Sequence, residues 1–259
     1  MKENNILTEA ISSNLGTRFV GDKIIYYPSV NSTNELAKQE AQQGAEEGTV
    51  IIAGEQVAGK GRMQRVWLSP QGSIAMSVIL YPDLVYLPAL IMVASLAVVY
   101  SIEKTTGLEA EIKWPNDVLV DDKKICGILI ENSMKGKVVD YTVIGIGLNA
   151  NLKISEFPEI IYPATSLSDE LGREVPLLKI IRQLLIEIER LYLSLQTGDS
   201  VYEEWRSKLV TLGKEIRIKT GNTIYDGAAE SVARDGSLYL RCLDGKLIKI
   251  VAGDASLRV

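Results

Sequence analysis

The apolar positions of the chain follow two regimes that change over near residue 212. In the first, helical and extended patterns alternate. Ser32-Thr33-Asn34-Glu35 has the S-x-x-E form of a capping box, Leu36, Ala37 and Ala41 follow at helical spacing, and Gly44 stands where a helix would end. This predicts a helix starting at Ser32. Short apolar runs at 49–53 and 73–80 predict buried strands joined by a polar, glycine-rich loop. Residues 84–102 carry no charge and approach the length of a bilayer span. Pro88 shortens the helical part, and Ala94, Ser95, Ala97 and Ser101 give it small faces, so a buried core helix is expected and not a membrane crossing. Residues 111–114 and 117–120 read as extended pieces split by Pro115, and Asp121-Asp122 turns the chain into 124–131 as a hairpin. Residues 138–148 are β-rich with little alternation, which predicts burial on both faces.

From 177 to 195 apolar residues recur at three- and four-residue steps. Gly198 breaks that pattern, and a second helix is expected around 202–212, closed by Gly213. Beyond it the segments shorten and become β-like at 216–218, 237–241 and 247–251, with Gly221-Asn222, Asp235-Gly236 and Asp244-Gly245 as turns. The order of elements predicts an α/β or α+β main domain, 1–212, followed by a small antiparallel barrel or sandwich, 213–259.

Composition narrows the chemistry. A chain of 259 residues with 46% hydrophobic and 24% charged residues can bury a full core. Two cysteines, Cys126 and Cys242, are too few for a disulfide framework or a four-cysteine metal site and suit a reducing compartment. The first residues lack the apolar run of a secretory signal, so a cytoplasmic protein is expected. The absence of histidine removes Ser-His-Asp and Cys-His nucleophile pairs and histidine zinc sites. A net charge of -5 argues against a general nucleic-acid binder, so any phosphate site is local.

Two motifs mislead. Residues 54–60 fit the first seven places of a P-loop, but Gly61 stands where a magnesium-binding hydroxyl belongs and no helix follows. Residues 145–150 mimic a dinucleotide fingerprint without the helix that would receive the pyrophosphate, so tight turns or close backbone packing better explain Gly145 and Gly147. Three cationic groups remain: Lys60, Arg62 and Arg65 on the glycine-rich loop, Lys113 before Trp114-Pro115-Asn116-Asp117, and Lys124 before Ile125-Cys126-Gly127. Gly59 and Gly61 let the backbone approach a ligand, and two arginines can fork onto carboxylate or phosphate. An Asn-Asp pair beside a lysine suits magnesium and triphosphate.

In this setting the chain resembles the biotin protein ligases. The resemblance rests on Ser32-Thr33-Asn34, Gln56 with residues 59–67, residues 113–117, residues 124–131 and residues 145–149, all in family order. It extends from about residue 24 to the end. It implies an α+β catalytic domain with a central mixed sheet of the class II synthetase-like kind, and a small SH3-like β-barrel after it. The implied chemistry is formation of biotinyl-5'-adenylate from biotin and ATP with magnesium, then transfer of biotin to a lysine of a biotin carboxyl carrier protein. Lys124, Arg62 and Lys113 would be catalytic. Ser32, Thr33, Asn34, Gln56, Gly59, Lys60, Gly61, Arg62, Lys124 and Gly127 would bind biotin. Arg62, Arg65, Trp67, Lys113, Asn116, Lys124 and Asn149 would bind the adenylate, with Trp67 stacking on adenine, Asn149 at its edge, and Asn116 or Asp117 on magnesium. The loop 59–67 would be a lid, mobile when empty. Family members usually carry arginine where Lys60 stands, and the larger ones carry an N-terminal helix-turn-helix domain for which too few residues precede Ser32. The resemblance also implies a homodimer and no nucleic-acid or membrane partner, and leaves the last domain to cover the ATP site or dock the carrier through Lys249 or Arg258. A lipoate ligase of the same fold and a non-catalytic biotin or nucleotide sensor are the rival readings.

Overall fold

The computed structural model describes residues 8–160, 162–197 and 201–257, so the expected break at Gly198 and the side chain of Arg258 lie outside the described residues. Seven strands form one mixed sheet in the order β1-β2-β3-β7-β6-β5-β4. They are β1 (Ile24–Val30), β2 (Val50–Gln56), β3 (Ile74–Leu80), β4 (Glu111–Lys113), β5 (Asp117–Val120), β6 (Lys123–Lys135) and β7 (Val138–Leu148). The β1–β2 pair is parallel and the others are antiparallel. β1 was not legible in the pattern, because it is a half-buried edge strand carrying Pro28, which only an edge tolerates.

The sheet is covered on both faces, which is why 138–148 alternates so poorly. Ile51, Ile79 and Val143 pack with Ala37 and Ala41 of α1 (Thr33–Gln42) on one face. Val50, Ile52, Val78, Ile144 and Ile146 pack on the other with α2 (Leu90–Thr106). The uncharged stretch is therefore core, as expected: Leu90, Met92, Leu96 and Ile102 are fully buried. Pro88 sits in a preceding 3-10 turn, Leu84–Ala89. The helix runs on to Thr106, four residues past the apolar stretch, where Gly107 takes the left-handed conformation that ends it.

Helix α3 (Leu167–Leu171) is short, α4 (Leu177–Thr197) packs on α2, and α5 is Val201–Ser207. The helix expected over 202–212 ends early. Residues 208–210 instead run beside β4, with Ile112 N donating to Lys208 O at 2.8 Å and Val210 N to Ile112 O at 3.0 Å. Leu209 is buried there by strand-edge pairing, an outcome the same apolar spacing serves equally well.

The remaining chain forms a five-stranded antiparallel sheet, order β11-β10-β9-β8-β12, from β8 (Glu215–Thr220), β9 (Thr223–Val232), β10 (Leu238–Cys242), β11 (Leu247–Ile250) and β12 (Asp254–Leu257). β9 and β12 escaped the pattern. In β9, Gly227 breaks the apolar run because a β-carbon there would stand 2.1 Å from Arg241 O. This sheet is tied to the first by Trp114, whose indole donates to Gly236 O at 2.9 Å, and to α5 by Tyr202, whose hydroxyl donates to Val232 O at 2.7 Å.

Candidate active site

The face of the first sheet that carries α1 changes character along its strands. Beyond Ile79 and Val143 it offers Ser77, Gly145 and Gly147, and the register places Ser77 opposite Gly145 and Gly127 opposite Gly147. A β-carbon at Gly145 would stand 2.1 Å from Asn34 Oδ1, and one at Gly147 would stand 2.3 Å from Trp67 Nε1. These glycines therefore serve close packing in a strand, not turns, and they hollow a cleft of about 1160 Å³.

One end of the cleft is polar and buried. Ser77 Oγ lies 2.6 Å from Asn34 Oδ1 and 2.8 Å from Thr33 Oγ1. Thr33 donates both its backbone N–H, at 2.8 Å, and its hydroxyl, at 3.1 Å, to Gln56 Oε1. Asn34 Nδ2 donates to Glu131 at 2.8 Å, and Glu131 also accepts from Lys38 at 2.9 Å. The expected capping box does not form: Ser32 starts α1 without a side-chain cap, and the first amide of the helix, that of Thr33, donates to Gln56 of β2. Glu35, which would have completed that box, turns to Lys38 and Lys60 at 2.9 Å each, and those hydrogen bonds hold its carboxyl below the usual carboxylate range.

Lys60 belongs to the glycine-rich loop, which is built as a narrow hairpin. Lys60 bridges Val66, Gly61 N donates to Arg65 O at 2.8 Å, and Trp67 N donates to Gly59 O at 2.9 Å. Gly59 is required there, since a β-carbon would stand 2.3 Å from Trp67 O. Met63 and Gln64 turn the tip with φ of 54 and 63, and Met63 and Val66 expose apolar side chains. From this loop Arg62 reaches into the cleft and donates to Asn116 Oδ1 at 3.0 Å, while Asn116 Nδ2 donates to Ile128 O.

Lys124 stands at the centre. Its Nζ lies 2.6 Å from Asp117 Oδ1, 5.3 Å from the ring centre of Trp67 and 5.5 Å from that of Tyr162. Trp67 is 9% exposed and its Nε1 has no acceptor among the described residues. Seven cations, Lys60, Arg62, Arg65, Lys113, Lys123, Lys124 and Lys214, line the cleft against the carboxylates Asp117 and Asp122, so a chain of net charge -5 presents a local cationic hollow that fits a polyanion. Among the described residues Lys113 forms no ion pair there. Cys126, beneath, is a packing group: burial pushes its thiol far up.

The tertiary structure brings nearly all the expected site residues to this cleft. Gly59 shapes the loop without lining it, and Asn149 is 4% exposed behind it, donating to Thr165 O at 3.0 Å. Of the expected magnesium contacts, Asn116 Oδ1 accepts from Arg62 and Asp117 Oδ1 pairs with Lys124, and the described residues hold no cluster of three or more acidic or thiol ligands. Tyr162 and Lys214 were missed. Tyr162 lies in a stretch without periodicity, and Lys214 comes from the edge of the second sheet, 3.8 Å from Asp122. Lys249 instead pairs with Asp235 at 2.7 Å, holding that carboxyl down to about 2, and does not line the cleft.

Residues 26–149 match the model of the biotin/lipoate A/B protein ligase family, and residues 211–258 match that of the biotin protein ligase C-terminal domain. The chain is 35% identical over 262 residues to the bifunctional ligase/repressor BirA of Bacillus subtilis, covering 99% of this chain and 80% of that one. It is 31% identical over 230 residues to the biotin–[acetyl-CoA-carboxylase] ligase of Paracoccus denitrificans, covering 84% of this chain and 94% of that one. The solved structure of the Aquifex aeolicus biotin protein ligase in complex with biotin and ATP superposes with a TM-score of 0.73 at 29% identity, covering 92% of this chain and 99% of the other. The two model matches follow one another along a single chain, the second is named for biotin ligases alone, and the protein is therefore a member of the biotin protein ligase family.

Proposed function

We propose that the chain activates biotin with ATP and passes it to a lysine of a biotin carboxyl carrier protein. The observation that carries this is Lys124, held by Asp117 and Trp67 above the glycine-floored part of a cationic cleft whose far end is a buried polar network. A biotin carboxylate oxygen attacks the α-phosphorus, the bond to the β-phosphate oxygen breaks, and pyrophosphate leaves. Both partners are anions, so the site must present cations where charge accumulates. Lys124 takes that place, with Arg62 over the acyl chain and phosphate and Lys113 and Arg65 toward the triphosphate. No base is needed, since a carboxylate is ionised at neutral pH, in keeping with a chain that has no histidine. In the second step the carrier lysine, as its neutral amine, attacks the acyl carbon, the acyl–phosphate bond breaks, AMP departs and the amide nitrogen gives up its proton to water.

The ureido head sits among Ser32, Thr33, Asn34 and Gln56, whose hydroxyls and amides supply the donors and acceptors a buried urea must find. A dithiolane offers no urea-like donors and acceptors to meet them, which favours biotin over lipoate. The buried Nε1 of Trp67 awaits an acceptor on the ligand, and its ring offers a face for adenine. Asn116 and Asp117 are the cleft residues that would meet magnesium brought in with ATP, whose charge would help neutralise the triphosphate. The adenylate is a mixed anhydride that water destroys, so the loop 59–67 closes over it.

The division at residues 212 and 213 belongs to this proposal: residues 213–259 bring Lys214 and Ser256 to the cleft and leave the rest of their surface to the carrier. So do a cytoplasmic setting, supported by the unpaired Cys126 and Cys242, and a homodimer, for which β1 is an edge uncovered among the described residues. The test is label transfer to a carrier domain with Mg·ATP and either biotin or lipoate. Transfer of biotin alone is expected. Equal transfer of lipoate would establish a lipoate ligase, and biotin binding without pyrophosphate release a sensor.

A further inference from the structure

Lys124 is pinned at its backbone as well as at its ammonium. Lys124 N donates to Pro163 O at 3.0 Å, and Thr165 N donates to Lys124 O at 2.9 Å, so residues 162–165 lie against the first turn of β6 as a short parallel strap. The strap is itself anchored. Asn149 donates to Thr165 O at 3.0 Å, and the Thr165 hydroxyl bonds Glu170, which pairs with Lys123 at 2.6 Å. At its open end Tyr162 is 44% exposed, yet its ring faces the Lys124 ammonium at 5.5 Å, and the Trp67 ring lies 5.3 Å from the same ammonium. A tyrosine whose hydroxyl forms no hydrogen bond in the described residues, but whose ring meets a lysine that also has a carboxylate partner, acts through its π face.

We propose that Tyr162 is a positioning residue for Lys124, adding a second aromatic ring to that of Trp67 in holding the ammonium at the point where it meets the ligand. This rests on the reading of Lys124 as the cation of the adenylation step. Asn149 contributes at one remove: it fixes Thr165, Thr165 fixes the backbone of Lys124, and no contact between Asn149 and the ligand is needed. The ring also explains how a lysine with a flexible four-carbon stem keeps one geometry while the cleft is open to water.

The test uses the full chain with Tyr162→Phe, which keeps the π face, and Tyr162→Leu, which removes it. Two readouts are taken. The first needs no turnover: mass-spectrometric acetylation rates of Lys124, referenced to Lys38, which has similar exposure and lies away from the strap. The Leu variant is expected to raise the Lys124 to Lys38 ratio about three- to five-fold, the factor a cation–π contact is worth near a surface, and the Phe variant to leave it unchanged. The second is biotin-dependent pyrophosphate release. There the Leu variant is expected to lose kcat by about ten-fold with KM for biotin little altered, and Phe to restore it, because the contact positions a cation used in the transition state. General loosening of the fold would raise both lysines together and overturn the proposal. So would a Phe variant that behaves like Leu, or a Leu variant that behaves like the parent. If the parent protein released no pyrophosphate at all, the proposed function would fall, while the acetylation ratio would still decide whether Tyr162 holds Lys124.

Discussion

Gly147 lies directly under Trp67: a β-carbon at Gly147 would stand 2.3 Å from the indole Nε1. The strand backbone is extended there, so alanine is tolerated by β7 itself and the collision falls on the indole. Gly147→Ala is therefore expected to leave the sheet intact by circular dichroism while displacing Trp67 from its seat. Pyrophosphate release should fall by about 100-fold, the penalty for a misplacement of about an ångström in a preorganised site. Unchanged kinetics would mean that Trp67 does not need this seat.

Lys124→Ala should remove most adenylation. One cation at about 4 Å in an effective dielectric near 20 is worth about 4 kcal/mol against a unit charge, which is about 10³-fold in rate before desolvation is counted. The pair it breaks with Asp117 is about one-fifth exposed on each side, so Asp117 regains water and melting should move by no more than about 3 °C. Near-normal turnover would transfer the central role to Lys113 or Arg62.

The lid idea is tested at the Glu35–Lys60 pair. Both side chains are more than a third exposed, so their contact is weak and suited to opening. Limited proteolysis should cut within 59–67, and biotin with Mg·ATP should slow that cut in the parent chain. Glu35→Gln should speed cutting of the empty protein by about two- to five-fold. Equal rates with and without ligands would show that the loop does not close.

Glu187 is 1% exposed and should set part of the acid limb of stability. Burial alone would raise its pKa, but hydrogen bonds from Lys104 at 2.5 Å and Arg190 at 2.9 Å outweigh it and hold the carboxyl below 4.5. A carboxyl depressed in the folded state adds stability that is fully present above its unfolded pKa and is lost as pH falls through the folded value. Glu187→Gln should thus be less stable than the parent at pH 7, with the gap narrowing once pH drops below about 4.5. Parallel thermal melts from pH 7 to pH 3 measure this, and a gap independent of pH would refute it.

Asp121 and Asp122 turn β5 into β6 with φ of 51 and 58, both left-handed. Glycine occupies that region without the cost that a β-carbon imposes, about 1 kcal/mol or more per residue. The 3.8 Å contact of Asp122 with Lys214 is exposed and offsets little of it. Asp122→Gly should raise stability by about 1 kcal/mol, seen as a higher denaturant midpoint at unchanged slope.

Much of this protein was legible before any coordinates. Periodicity located α1, the core helix, the strands expected at 49–53 and 73–80 and the hairpin through Asp121-Asp122, because each carries its own buried face within a few residues. The motifs around Gln56, residues 59–67, Lys113 and Lys124 carried the family, and with it the chemistry. What the sequence could not show lies in relations between distant segments. Only the folded sheet puts Ser77 opposite Gly145, sets Gln56 of β2 against the first amide of α1, and turns Glu35 toward the loop. Only the fold brings Tyr162 over Lys124 and ties Asn149 to the backbone of Thr165. Local pattern records which residues want to be buried; which partner each one meets depends on strand order and register, and those are decided by packing across the whole chain.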